Sequence, residues 1–86
     1  MKYAREVIDL LAAYPGRRFR MIHIVRHVAG GKPDAAQWER IRKGVRRVIE
    51  HLEHAGHVAR CEPAKGSGGF SLYAWKPGHE VFENRD

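Results

Sequence analysis

Apolar residues in the first part of the chain recur at steps of three and four, the spacing that places side chains on one face of an α-helix. A first helix is predicted over residues 2–14, and Pro15 ends it because proline cannot continue a helix. A second, shorter helix is predicted over Met21–Ala29, with Gly30 as its C-terminal stop. Residues 17–20, between the two helices, fit either a very short strand or an extended link.

The third predicted helix has the clearest start in the sequence, because Asp34 and Gln37 have the spacing of a capping box. The apolar pattern ends at Gly56, a residue that readily adopts the left-handed conformation of a helix C-cap. A continuous helix of about 21 residues would be roughly 31 Å long. Gly44 leaves an alternative open, since a glycine inside a helix costs about 1 kcal/mol relative to alanine. A break there would leave a short helix near residues 35–42.

The last third of the chain has the pattern of a β-hairpin. Residues 57–62 alternate weakly and residues 70–75 alternate clearly, with a glycine-rich loop over residues 63–69 between them. The alternation places Leu72 toward the core and Trp75 on the opposite face, where it is available to an interface.

The chain of 86 residues has room for one domain, predicted over residues 1–78 and followed by a loosely held tail at residues 79–86. No targeting segment is evident, and the longest apolar run is far too short to span a bilayer. The single cysteine, Cys61, fits a reducing compartment, so we expect a cytoplasmic protein. Sixteen basic residues against ten acidic ones give a net charge of +6, which favours a polyanionic partner, either nucleic acid or an anionic membrane surface.

Much of this positive charge lies in the third predicted helix. With Val45 turned to the core, three of its basic residues fall on the solvent side and two on the flanks. Such a row of cations suits the phosphates of a duplex, although a basic face can also serve solubility alone. The solvent-side residues are Arg40, Lys43 and Arg47, and the flanking ones are Arg42 and Arg46.

Leu52, Gly56 and Val58 resemble the end of the third helix and the start of the first wing strand in winged helix-turn-helix proteins. The resemblance extends over about residues 2–76. It implies an α+β fold in which three helices are followed by a two-stranded β-hairpin wing. It also implies that the third helix enters the major groove, and that Arg60 and Lys65 approach the DNA from the wing.

Other chemistries find less support in the residues. The six histidines include pairs at helical spacing, but Cys61 lies on a different element, so we expect no metal site. The loop at residues 65–69 opens onto a strand, whereas a phosphate-binding loop opens onto a helix. No nucleophile with a base stands out, and we expect neither an enzyme nor a cofactor nor a small-molecule substrate.

The sequence therefore predicts sequence-specific binding of double-stranded DNA by a small transcriptional regulator of bacterial or phage type. Two alternatives remain, an adaptor that binds an acidic protein partner and an RNA-binding protein. The first helix is a candidate homodimer surface. A membrane surface is the least favoured partner, because the basic helix buries its apolar face within the domain.

Overall fold

The computed structural model describes residues 2–61 and 71–77, which form three helices and a three-stranded antiparallel sheet of order β1-β3-β2. This is a small α+β domain. The predicted wing loop with Lys65, the predicted domain boundary and the tail lie outside the described residues. The elements, in chain order, are α1 (Ala4–Ala13), β1 (Phe19–Arg20), α2 (Met21–Ala29), α3 (Ala35–Ala55), β2 (Val58–Cys61) and β3 (Leu72–Trp75).

The predicted two-stranded hairpin is wrong in its strand count. Residues 19 and 20 form a third strand, in which Phe19 pairs with Tyr73 and Arg20 pairs with Leu72. The Phe19 side chain is buried in the core, so the pairing is supported by packing as well as by the backbone. A strand of two residues is too short to show an alternating pattern, and the sequence could not distinguish it from a link.

The predicted orientation of β3 is also wrong. Tyr73 and Trp75 belong to the buried core cluster, whereas Leu72 is only half-buried. The register explains the difference, since the cross-strand partners of these two aromatic residues, Phe19 and Val58, are themselves buried. Directly opposed residues share one face of a sheet, so all four side chains face the core.

The predicted ends of α3 are confirmed in detail. The Gln37 backbone N–H donates to the Asp34 carboxylate at 2.8 Å, and the Asp34 N–H donates to Gln37 Oε1 at 3.1 Å, completing the capping box. Gly56 has a φ of 91°, and the N–H of His57 donates to the carbonyl of Leu52 at 2.9 Å. This turn reverses the chain and places β2 beside the end of α3.

Helix α3 runs without interruption through Gly44 for 21 residues, so the predicted alternative of a break is excluded. Its buried stripe packs against both other helices and the inner face of the sheet, and Trp38 packs at the margin of the core. This packing fixes which side of α3 faces solvent. The buried residues of the stripe are Val45, Val48, Ile49 and Leu52.

Candidate nucleic-acid interface

The side of α3 that faces away from the core carries a set of exposed basic residues. We call Arg40, Lys43 and Arg47 the cationic face; all three are exposed, as the helical pattern predicted. They occupy successive turns in the middle of α3, because residues three and four apart are neighbours on a helix. The flanking Arg46 is exposed as well.

No described carboxylate forms an ion pair with any residue of the cationic face or with Arg46. Within residues 2–61 and 71–77, these charges are therefore not neutralised by the fold itself. A polyanion is therefore able to approach them without displacing a carboxylate of the described residues.

The other flanking residue, Arg42, has a carboxylate partner. Its Nη2 lies 3.4 Å from Oε1 of Glu39, one turn earlier on α3. Both side chains are partly exposed, and an exposed pair of this kind contributes little to stability, about 0–1 kcal/mol. Arg42 is thus only loosely held at the edge of the cationic face.

Arg60, predicted to serve the wing, lies on the helix side of the sheet and is held there. Its Nε and Nη2 donate to the two carboxylate oxygens of Glu53 at 3.2 and 3.1 Å. Its guanidinium also lies over the ring of Tyr73, 5.5 Å from the centroid. These contacts give Arg60 a structural role between α3 and β2, and its contact with nucleic acid stays a prediction.

Two residues that were not predicted as part of the interface, Tyr3 and Gly44, lie directly beside the cationic face. The ring of Tyr3 rests on the backbone of α3 at Gly44, where its Cδ2 and Cε2 are 2.5 and 2.6 Å from the position that a Cβ would occupy. No larger residue fits beneath the ring without moving it. Gly44 therefore permits a close approach between the N-terminal segment and α3.

Tyr3 has φ 71° and ψ −1°, the only positive φ of a non-glycine residue in the part of the chain that the structure describes. This left-handed conformation costs an L-residue roughly 1–2 kcal/mol. It precedes the first turn of α1, where the N–H of Val7 donates to the Tyr3 carbonyl at 3.1 Å. The adjacent Lys2 has its Nζ 5.6 Å from the Tyr3 ring centroid.

The sequence did contain a signal for this contact. Gly44 stands in the middle of a strongly patterned helix, where glycine has a cost in stability and no benefit of its own. A glycine at such a position indicates close packing against the helix backbone. Nothing in the sequence, however, indicated that Tyr3 is the residue that packs against Gly44.

Trp75 and the histidines are the remaining residues for which the sequence suggested a role or a site. The His57 ring stacks on the Trp75 indole, with centroids 5.2 Å apart and planes 5° from parallel, so Trp75 is a core residue and its predicted interface role is wrong. Among the described residues, no three histidine, cysteine or acidic side chains come together as metal ligands.

Comparison of the chain with protein-family models, with curated proteins and with solved structures finds no match. Within the described ranges, none of the helices combines the length and the apolar composition that crossing a bilayer requires.

Proposed function

We propose that this protein binds double-stranded DNA as a winged helix-turn-helix domain, with α3 as the recognition helix. The observation that carries the proposal is the cationic face, which is exposed and has no carboxylate partner among residues 2–61 and 71–77. An α-helix fits the major groove of B-DNA, which is about 12 Å wide.

The order of the elements supports the same proposal. Two helices enclose the short strand β1, α3 follows, and β2 and β3 form an antiparallel pair directly after it. Gly56 turns the chain so that this pair starts beside the C-terminal end of α3. In such an arrangement, a hairpin wing flanks the recognition helix and approaches the DNA backbone.

The charge distribution along α3 indicates which part of the helix meets the DNA. The cationic face spans the central turns of α3, whereas Glu50 and Glu53 lie nearer its C-terminal end. The central turns attract phosphates, whereas the exposed Glu50 repels them. In helix-turn-helix proteins, the N-terminal residues of the recognition helix contact the base edges, so the contact proposed here lies further along the helix than is usual.

Within the groove, the two types of cation have different tasks. The planar guanidinium groups of Arg40 and Arg47 match O6 and N7 of guanine, so they are suited to reading sequence. Lys43 is a compact point charge suited to a phosphate. Arg46 and the loosely paired Arg42 assist at the groove walls. Occupancy of a specific site would then block or recruit polymerase, the action of a small transcriptional regulator.

Selection from a pool of random duplexes tests the proposal and supplies the preferred site. With that site, the logarithm of the binding constant should fall with the logarithm of salt concentration at a slope near −4 for four or five phosphate contacts. The double charge reversal Arg40→Glu/Arg47→Glu should abolish binding. Replacing either arginine by alanine should cost about 1–3 kcal/mol if that residue reads a base.

A matched control is the double charge reversal Arg18→Glu/Lys76→Glu, which changes the net charge equally at two exposed residues outside α3. It should retain most of the affinity. If both double variants weaken binding to the same extent, net charge and not α3 drives the interaction. Preference for an RNA duplex of equal length, or no duplex binding at low salt, would favour the RNA-binding or protein-adaptor alternative.

A further inference from the structure

A shallow notch of about 260 Å³ lies where residues 2–3 meet α3. The ring of Tyr3 and the backbone of Gly44 form part of its wall. None of the four cations that complete the lining has a carboxylate partner within the described part of the chain. These cations are Lys2, Arg40, Lys43 and Arg47.

The notch brings like charges together without compensation from the fold. Four cations around one depression repel one another, and an anion placed among them removes that repulsion. The left-handed backbone of Tyr3 adds to the cost of this arrangement. Backbone conformations of this kind persist where the surrounding structure holds them, and they cluster at ligand sites.

The lining also indicates the chemistry of the anion. The Lys2 and Lys43 ammonium groups are point charges of the kind that proteins use for phosphate oxygens, and Arg40 and Arg47 beside them raise the local positive potential. The notch is continuous with the cationic face, because three of its four cations belong to that face. A duplex seated on α3 therefore brings its own phosphates to the rim of the notch.

We propose that Lys2 and Tyr3 complete, together with Lys43, a binding site for one backbone phosphate of the duplex, beside the two arginines proposed to read bases. This inference rests on the proposed function. Lys2 contacts the phosphate, and Tyr3 is a positioning residue whose ring holds the Lys2 ammonium close by. Gly44 is required because any side chain at that position would displace the ring.

The salt dependence of duplex binding tests the role of Lys2. Loss of one phosphate contact in Lys2→Gln should make the log–log slope less steep by about 0.9, with the preferred DNA sequence unchanged. Lys76→Gln is the matched control, since it removes one exposed lysine outside the notch and should leave the slope unaltered. An unchanged slope in Lys2→Gln would overturn the assignment.

Gly44→Ala tests the positioning role without any change in charge. The added methyl group should displace the Tyr3 ring and weaken duplex binding several-fold, while the helical circular dichroism is retained. Gly31→Ala is the control, because a Cβ at that position meets nothing within 4 Å. In the double variant Lys2→Gln/Gly44→Ala, the losses should be less than additive, as expected of residues that share one site. Full additivity would contradict the shared site.

Failure of the proposed function and failure of this inference alone give different experimental results. A wild-type protein that binds no duplex overturns both the proposed function and this inference, whereas normal binding with an unaltered Lys2→Gln slope overturns the inference alone. A nucleoside 5′-monophosphate, followed through the Gly44 amide by NMR, separates the two sources of phosphate. If it binds at submillimolar concentration and the duplex does not displace it, the ligand is a free nucleotide and the backbone assignment is wrong.

Discussion

Glu53 on α3 accepts two hydrogen bonds from the guanidinium of Arg60 on β2, at 3.1 and 3.2 Å. The residues are seven positions apart, and the turn at Gly56 between them reverses the chain so that they face each other. The two-point bond fixes β2 against the helix proposed to read DNA. It thereby couples the orientation of the hairpin to that of α3.

Glu53→Gln should lower stability by about 0.5–1 kcal/mol, because both members of the pair are partly exposed and such pairs contribute modestly. Glu50→Gln is the matched control, since it removes an equal charge from an exposed position one turn earlier on α3. Thermal unfolding of the two variants measures the difference, which corresponds to several degrees in a domain of this size. Equal midpoints would show that the Glu53–Arg60 pair contributes nothing.

The close contact between Tyr3 and Gly44 predicts that substitutions at the two positions have strongly non-additive effects on the free energy of unfolding. Alanine at position 44 should gain about 1 kcal/mol of helix propensity when the Tyr3 ring is absent. In the presence of the ring, the same substitution should lose that gain, because the methyl group and the ring compete for one space. Urea unfolding of Gly44→Ala in the wild-type and Tyr3→Ala backgrounds gives the coupling. Identical effects in both would mean that the ring does not rest on residue 44.

Trp75 should behave as a core residue despite its position on the strand face predicted to be open. It is 4% exposed and stacks on His57, so Trp75→Ala should destabilise the domain by about 3–5 kcal/mol. Trp38→Ala should cost less, because that side chain is only half-buried. Chemical denaturation compares the two, and Trp75→Phe keeps a folded reference if the alanine variant unfolds. A larger loss at Trp38 would reverse this ranking.

Gly56 should be required for its backbone conformation alone. No atom lies within 4 Å of a Cβ at Gly56 or at Gly31, but only Gly56 has a left-handed φ, at 91°. Gly56→Ala should therefore cost roughly 1–2 kcal/mol. Gly31→Ala should be neutral or stabilising, because alanine restricts the unfolded chain. The free energies of unfolding of the two variants, measured in urea, should differ in this direction.

The local features of the fold were accessible from the sequence. The Asp34–Gln37 capping box, the helix over Met21–Ala29 and the C-cap at Gly56 were predicted and are present. Each of them is decided by interactions between residues a few positions apart. The exposure of Arg40, Lys43 and Arg47 follows in the same way, because helical periodicity fixes which side chains lie opposite a buried stripe.

The features that the sequence left open or predicted wrongly involve partners distant in the chain. Phe19 becomes part of a strand only because β3 lies beside it, and Trp75 turns inward because Val58 and Phe19 fix the sheet register. The continuity of α3 through Gly44 likewise coincides with a ring supplied by Tyr3, about forty positions earlier. Periodicity describes one segment at a time, so it carries no information about which segment will cover it.

The sequence by itself thus determined where α2 and α3 start and stop and which face of α3 is basic. Only the tertiary structure decided which side of the sheet faces the core, that Arg60 is bonded to Glu53, and that Lys2 and Tyr3 stand beside the cationic face. The physical reason is that caps and helical faces arise from short-range geometry, whereas packing and charge pairing depend on segments that meet only when the chain has folded.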